Sequence, residues 1–183
     1  MRMKPKKMDS LPELYPGQVC LILAPRSVRQ WMSTLLARLA LAGPVRVLDG
    51  GNCFQAYPLA RALREKTDQP ELVLGRVHVA RAFTCYQVKA LLAVTPALPT
   101  PTVVLDLLST FGDESVPLAE RRRLLEEALA HLRRLSRQGP VAAHAASPAS
   151  STPEEFLERL EATASQVWRL ELPPPRPLLR LFP

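Results

Sequence analysis

The sequence predicts an α/β protein in which a mostly parallel sheet is covered by helices on both faces. Three observations lead to this prediction. Short, wholly apolar runs, typical of strands that are buried on both faces, recur along the chain. Segments with apolar residues at helical spacing separate these runs. Turn residues, chiefly glycine and proline, stand at many of the boundaries between the two kinds of segment.

Each strand is predicted from an apolar run that ends at turn residues. In chain order, these runs predict strands at residues 19–23, 45–48, 72–74, 77–80, 102–108 and 141–144. The second strand leads into Asp49-Gly50-Gly51-Asn52, a segment with strong turn chemistry. Two further apolar segments, 167–172 and 178–182, lie on either side of a proline-rich turn, and they predict a C-terminal edge hairpin.

The helices are predicted between these strands, from apolar stripes and capping residues. In chain order they cover residues 32–40, 54–66, 86–94, a long helix from an N-cap at Ser115 to about Arg137, and a last helix that starts near Thr152. Residues 95–101 contain three prolines, which lack the backbone N–H that a helix or a central strand requires. They are therefore predicted to be a connector, as is the uncharged segment 145–152.

Composition indicates a globular chain with one core. Of its 183 residues, 47% are hydrophobic and 22% are charged, which argues against disorder. No apolar run reaches the ~20 residues that a membrane-spanning helix needs, and no apolar segment follows the basic N-terminus as in a signal peptide. Cys20, Cys53 and Cys85 are odd in number and form no C-x-x-C, so we expect reduced thiols, no zinc site and a cytoplasmic protein.

The net charge of +7 permits a polyanionic partner. The positive charge is nearly all arginine, because only five lysines occur, and Asn52 is the only asparagine. This mixture is typical of a GC-rich genome, and the scarcity of a heat-labile amide also suits a thermophile. Genome composition therefore explains the charge as well as nucleic-acid binding does. We divide the chain into a basic N-terminal arm, residues 1–15, and a core domain, residues 16–183.

The first strand and helix have the layout of a phosphate-binding loop, whose spacing is G-x-x-x-x-G-K-[ST]. Aligned with that spacing, Ala24 and Arg29 replace the two glycines, Gln30 replaces the lysine and Trp31 replaces the hydroxyl residue. An uncharged amide and an indole cannot supply the charge and the cation ligand that a nucleotide requires. The layout is present, but the residues that bind phosphate are not.

Several segments in order resemble the core of RecA/RadA-type recombinases. The run 77–87, which contains Ala-Arg-Ala-Phe before a glutamine, is similar to a strand-to-helix passage of that family. Residues 48–54 resemble the segment after the family's second strand, and Val103-Val104-Leu105-Asp106 resembles its Walker B strand. The resemblance extends from about Pro16 to the C-terminus. It implies a RecA-like, P-loop-type fold.

The departures from that family imply a degenerate paralogue without ATPase activity. The family's catalytic glutamate falls at Gly51, whereas Asp106 matches its Walker B aspartate. Without phosphate binding, a metal ligand and a general base, hydrolysis should be lost. The resemblance therefore implies no cofactor and a degenerate nucleotide site at Ala24, Arg26, Arg29, Gln30, Trp31, Asp49, Gly51 and Asp106.

Alternative interpretations of these residues stay open. Arg26 or Arg29 could bind phosphate in place of the lysine, which would make the chain an ATP- and magnesium-dependent enzyme or switch with an unorthodox P-loop. Asp49 and Asp106 could instead brace the strand ends. Trp31 either fills the vacated pocket or anchors a partner. Three further side chains are expected in the core rather than in a site: His78, His144 and Cys85.

The expected function is that of an accessory factor in DNA recombination or repair. The expected partner is a RecA-type recombinase or another repair protein, in a homo- or hetero-oligomer, and no membrane is involved. DNA is a further candidate, through two groups of basic residues: Arg2, Lys4, Lys6 and Lys7 in the arm, and Arg121, Arg122 and Arg123 in the long helix. Interleaved glutamates favour an ordinary charged surface for that helix. The third possibility is a binding module with no link to DNA.

Overall fold

The computed structural model describes residues 10–25, 29–146 and 152–170, with Arg29 and Gln30 described as backbone only. Within these residues, six strands and six α-helices form an α/β fold. The strands are β1 (Val19–Ala24), β2 (Val45–Asp49), β3 (Val77–Arg81), β4 (Thr102–Leu105), β5 (Val141–Ala146) and β6 (Gln166–Arg169). The helices are α1 (Arg29–Ala42), α2 (Ala56–Arg64), α3 (Pro70–Leu74), α4 (Cys85–Val94), α5 (Leu118–Ser136) and α6 (Glu154–Thr163).

The six strands form one parallel sheet in the order β3-β2-β4-β5-β1-β6. Helices α1, α2 and α3 pack on one side, called the first face, and α4, α5 and α6 pack on the second face. The chain leaves β2 towards β3 and leaves β4 towards β5, so the two connections diverge. At such a switch point, ligands of α/β proteins bind outside the carboxyl ends of the strands. In this sheet Asp49 and Asp106 stand at that place, and both are buried.

The core explains why the central strands are apolar throughout. Every residue of β1 and of β4 is buried, because helices cover both faces of the sheet. On the second face, α5 contributes a leucine stripe that includes Leu125, Leu129 and Leu132. Phe111 and Phe156 meet edge to face there, with ring centroids 6.4 Å apart. Each buried leucine stabilises the fold by roughly 1.5–3 kcal/mol relative to an exposed one.

Arginines hold the connectors at the opposite end of the strands. Arg76 donates to two carbonyl oxygens in the last turn of α1. Arg134 donates to three carbonyl oxygens at the end of α4, at 2.8–3.2 Å. Arg46 binds two carbonyl oxygens of the 95–101 connector, and burial together with Arg134 lowers the pKa of its guanidinium. Part of the arginine content therefore has a structural use that requires no anionic partner.

The predicted α/β class and parallel sheet are confirmed, but several bounds differ, and β5 extends to Ala146, into the segment predicted as a connector. Residues 72–74, predicted as a strand, lie in helix α3, where Pro70 occupies the first turn as proline favours. Strand β4 ends at Leu105 instead of continuing to residue 108, because Asp106 has a φ of 46° and turns the chain out of the sheet. Such a φ is uncommon outside glycine, although aspartate tolerates it better than most residues.

Two further predictions were wrong. Helix α5 begins at Leu118 with Pro117 at its N-cap, and Ser115 instead forms part of the preceding turn through a hydrogen bond from its N–H to Asp113. His78, predicted to be a core residue, is exposed. The reason is that β3 lies at the edge of the sheet, where its side chains are covered less than those of the central strands.

Some predictions fall outside the described residues. The second segment of the predicted hairpin, 178–182, and the basic residues Arg2, Lys4, Lys6 and Lys7 are among them. The first segment appears as β6, which pairs in parallel with β1. The three cysteines form no disulfide with one another. Among the described residues, no helix is long and apolar enough to cross a membrane.

Candidate functional site

The first carboxylate at the switch point is used by the loop that follows β2. Asp49 is fully buried. Its Oδ1 accepts a hydrogen bond from the N–H of Cys53 at 2.9 Å, and its Oδ2 accepts one from the N–H of Phe54 at 3.0 Å. The Nε of Arg81 lies 3.3 Å from the same Oδ2. These charge-assisted contacts hold the loop in shape, so Asp49 acts here as a brace.

The second carboxylate joins β4 to β5. Asp106 is 2% exposed, and its Oδ1 accepts the N–H of Ala146 at 3.2 Å. The N–H of Asp106 donates to Nδ1 of His144 at 3.1 Å. Because Nδ1 accepts this hydrogen bond, the proton of the neutral imidazole is on Nε2. His144 is buried as expected, and it fixes the backbone where the chain leaves β4.

Gly51 and Asp106 are in direct contact at the switch point. A Cβ on residue 51 would lie 2.4 Å from the Cβ of Asp106 and 2.7 Å from its Oδ2. Contacts shorter than 3.0 Å essentially do not occur, so residue 51 must be glycine while Asp106 keeps this position. The resembled family has its catalytic glutamate at this place. In this chain, that glutamate and the observed Asp106 are mutually exclusive.

The structure places Trp31 in the interior. The side chain is 5% exposed and belongs to the first-face core, together with Ala24 and Leu59. Its indole N–H has no hydrogen-bond partner among the described residues, which costs about 1–3 kcal/mol for a buried donor. Of the two interpretations, filling of the interior agrees with this position. A partner anchor would require an exposed surface that Trp31 does not offer.

The remaining residues of the predicted nucleotide site are described only in part. Strand β1 ends at Ala24 and helix α1 begins at Arg29, so a strand is followed by a helix as predicted, while residues 26–28 lie outside the described residues. Arg26 and the side chains of Arg29 and Gln30 lie outside the described residues. Within the described part of the chain, no three His, Cys, Asp or Glu side chains lie close enough to hold a metal ion. Cys85 is buried as expected, and burial raises the pKa of its thiol.

The three arginines of α5 that are predicted to contact DNA are engaged within the protein. Arg121 is buried and donates to the carbonyl of Phe111 at 3.1 Å, so its side chain is not available to a phosphate. Arg122 donates to both carboxylate oxygens of Glu155 at 2.9 and 3.0 Å. Its hydrogen bond lowers the pKa of that carboxyl group.

Arg123 is paired on two sides. It donates to both carboxylate oxygens of Glu120, at 2.9 and 2.7 Å, and also to Glu127. Hydrogen bonding to Arg123 lowers the pKa of Glu120, and the same bond raises the pKa of the guanidinium. The arginine-rich part of α5 is therefore a surface of ion pairs, as the interleaved glutamates indicated.

The excess positive charge lies mostly outside the described residues. Those residues contain 17 of the 24 lysines and arginines and 15 of the 17 acidic residues, so their formal charge is +2. The other +5 of the total +7 belongs to residues 1–9, 26–28 and 171–183. Any attraction of this protein for a polyanion therefore depends mainly on those segments, above all on the N-terminal arm.

Sequence reasoning missed the partners of the two carboxylates. Arg81 was part of a family-like run and His144 was assigned to the core, but neither was connected to a carboxylate. The only sequence signal was position, because both residues lie near the carboxyl ends of predicted strands.

Neither a scan against models of protein families nor a search of curated proteins finds a match for this chain.

Proposed function

We propose that this protein is a non-catalytic, RecA-like accessory factor in DNA recombination or repair, which acts by binding a RecA-type recombinase or another repair protein. The contact between Gly51 and Asp106 carries the non-catalytic part of this proposal, because it leaves no room for a general base at position 51. The partner class rests on the resemblance of residues 77–87, 48–54 and 103–106 to the recombinase core.

The two buried carboxylates support the same conclusion. Phosphoryl transfer requires groups that position the phosphates, a metal ion and the attacking water. Asp49 accepts two backbone N–H groups and pairs with Arg81, while Asp106 accepts the N–H of Ala146. Both side chains thus hold strand ends together. A protein that keeps this fold without such an active site can act only through its surface, by binding other molecules.

The partner part of the proposal is tested with the RecA-type recombinase of the source organism. Direct binding is measured by interferometry on the immobilised recombinase, and strand exchange is timed with and without the full chain. We expect saturable binding and a changed rate of exchange. We expect the Asp106→Asn variant to behave like the wild type, because the effect does not require ATP hydrolysis by this chain. A folded chain that neither binds nor changes the rate would refute this partner.

DNA contact, within this proposal, belongs to the N-terminal arm. Fluorescence anisotropy on single- and double-stranded DNA across a salt series tests it. Replacing Arg2, Lys4, Lys6 and Lys7 by glutamine should reduce the slope of log affinity against log salt by about 3 to 4 on duplex DNA. The matched variant, Arg122→Gln with Arg123→Gln, should leave the slope unchanged. An unchanged slope in the arm variant would remove the arm from DNA binding.

One observation favours the second candidate, an ATP-binding enzyme or switch with an unorthodox P-loop. Asp106 holds a φ of 46° at the end of β4, and residues in sparsely populated backbone conformations cluster at functional sites. In that case Arg26 or Arg29 binds the phosphates. Magnesium-dependent binding of ATP distinguishes this candidate from the first.

A further inference from the structure

A cleft lies between helices α1 and α2 on the first face of the sheet. Its volume is about 240 Å³. Thr34 lines it from α1, and the half-buried Pro58 and Ala62 line it from α2. Pockets that hold whole small molecules begin at ~300 Å³, so this cleft accommodates a single ring system rather than a larger ligand.

Three exposed side chains of this cleft are available to a ligand. Gln55 occupies the N-cap of α2 but forms no cap hydrogen bond, and Tyr57 is 74% exposed, more than any other aromatic side chain in the described part of the chain. The Nε of Arg61 lies 3.7 Å from Oε1 of Glu65, and both side chains are 67% exposed. An ion pair at this exposure contributes little, so the guanidinium can turn to another anion.

Aromatic and cationic groups follow one another along α2. Tyr57 and Arg61 are four residues apart and therefore neighbours on one side of the helix, and the exposed Arg64 lies three residues further on. The first turn of α2 contains no acidic residue, and its last turn contains only basic charges. The surface beside the aromatic ring is thus suited to a negatively charged ligand.

These groups match the chemistry of an unpaired base and its phosphate. Proteins bind unpaired bases by stacking them on aromatic rings, by hydrogen bonds to the base edge and by cations on the backbone. The cleft offers one group of each kind, in Tyr57, Gln55 and Arg61. An apolar ligand would require apolar walls, which apart from the tyrosine ring only Pro58 and Ala62 supply.

We propose that this cleft binds an unpaired base of a single-stranded nucleic acid, stacked on the ring of Tyr57, with Gln55 on the base edge and Arg61 on the adjacent phosphate. This goes beyond the proposed function, which assigns DNA contact to the N-terminal arm, and it requires no recombinase. One stacked base raises affinity by only about 5- to 150-fold. A strand with further phosphate contacts therefore binds, whereas a free mononucleotide does not bind measurably.

Substitution of Tyr57 tests the stacking by fluorescence anisotropy on the full chain. Tyr57→Ala should weaken binding of oligothymidylate by about 5- to 150-fold at every salt concentration, because stacking releases no counterions. Binding of duplex DNA should not change, since its bases are paired. Tyr86→Ala, at a 46% exposed tyrosine of α4, is the matched control and should bind like the wild type. Oligouridylate in the same assay shows whether RNA or DNA is preferred.

The charges beside the ring are tested separately. Arg61→Gln should weaken binding and reduce the slope of log affinity against log salt by about 0.7 on single strands. Glu65→Gln should strengthen binding, because it removes both the partner of Arg61 and a negative charge near the phosphate. A purely structural ion pair predicts no such gain. Far-UV circular dichroism checks that each variant is folded.

Photo-cross-linking locates the base. An oligonucleotide that carries 5-iodouracil, irradiated with the wild type, should give an adduct on the peptide that contains Tyr57, as identified by mass spectrometry. The effect of Tyr57→Ala should persist when Arg2, Lys4, Lys6 and Lys7 are replaced by glutamine, which separates the cleft from the arm. Equal affinity of Tyr57→Ala and the wild type for single strands would overturn the proposal. So would a Tyr57→Ala variant that loses only recombinase binding, because the cleft would then bind a protein.

Discussion

The Asp106 side chain lies in the space that a side chain on residue 51 would need, only 2.4 Å from the position of its Cβ. The two residues are far apart in the chain and meet because β2 and β4 are neighbours in the sheet. This contact links two residues that the sequence presents separately, a glycine in the turn after β2 and an aspartate at the end of β4. The observed position of Asp106 makes glycine necessary at residue 51.

The contact predicts a strong coupling between substitutions at the two positions. Gly51→Ala should lower the free energy of unfolding by about 1–3 kcal/mol, because the new methyl group overlaps Asp106. In an Asp106→Gly background, the same change should cost much less, since the obstruction is gone and glycine accepts the positive φ. Urea denaturation of the four proteins measures the coupling.

Gly50→Ala is the matched control for that cycle. A Cβ at Gly50 would meet its nearest atoms at 3.4 Å, so this substitution should be milder than Gly51→Ala. It should also be insensitive to Asp106→Gly, because its closest contacts are to Leu105 and Val88. Additive effects of Gly51→Ala and Asp106→Gly would show that the overlap is relieved in some other way.

His144 should stabilise the strand ends through its acceptor nitrogen. His144→Leu leaves the buried N–H of Asp106 without this acceptor, which should cost about 1–3 kcal/mol of unfolding free energy. His144→Asn retains an acceptor oxygen near the Nδ1 position and should cost clearly less. Chemical denaturation of both variants makes the comparison. Equal losses would mean that packing of the ring, rather than its hydrogen bond, is what matters.

Among the arginines near the C-terminal end of α5, Arg134 should cost the most free energy of unfolding when it is replaced. Arg134→Gln removes a cation that binds three carbonyl oxygens, and hydrogen bonds to charged groups are worth about 1.5–3 kcal/mol each. Arg137→Gln, three residues on and exposed, is the matched control and should change stability by no more than about 0.5 kcal/mol. Thermal denaturation followed by circular dichroism distinguishes the two. Similar melting temperatures would refute the structural use assigned to Arg134.

The lowered pKa of His131 predicts that the protein loses stability in mild acid. Burial lowers its pKa from the ordinary value, and Arg134 and Lys89 add to this while Glu127 opposes it. The unfolded chain therefore takes up the proton first as the pH falls, so stability is complete above pH ~6.5 and declines below it. His131→Asn should flatten this part of the stability–pH curve. An unchanged slope in His131→Asn would contradict the assignment.

Much of the fold was predictable because local sequence carries it. The apolar runs of β1 and β5, the leucine stripe of α5 and the turn after Asp49 are each evident within a short window. The short helix α3 was missed because Leu72-Val73-Leu74 is equally compatible with a buried strand, although Pro70 at its start indicates a helix. The exposure of His78 was missed because strand order decides which strand lies at the edge, and no local pattern reports it.

The site was predictable in position but not in detail. Asp49 directly follows the apolar run of β2, so its place at the end of a strand is predictable, whereas Asp106 falls inside the strand predicted over 102–108 and its turn out of the sheet is not. Their partners, Arg81 and His144, come from other strands and depend on register. The burial of Arg121 could not be predicted either, because a run of three arginines on a helix indicates solvent-exposed charge. Only the packing of neighbouring elements shows that one of them is buried.

A titration of the full chain with ATP and magnesium, with hydrolysis followed in the same samples, tests the central claim most directly. The account predicts no saturable binding up to millimolar nucleotide and no release of phosphate above buffer. Asp106→Ala, and Asp113→Asn at an exposed carboxylate as the control, should give the same result as the wild type. Magnesium-dependent binding at micromolar ATP that Asp106→Ala abolishes and Asp113→Asn preserves would contradict the account and establish a working nucleotide site.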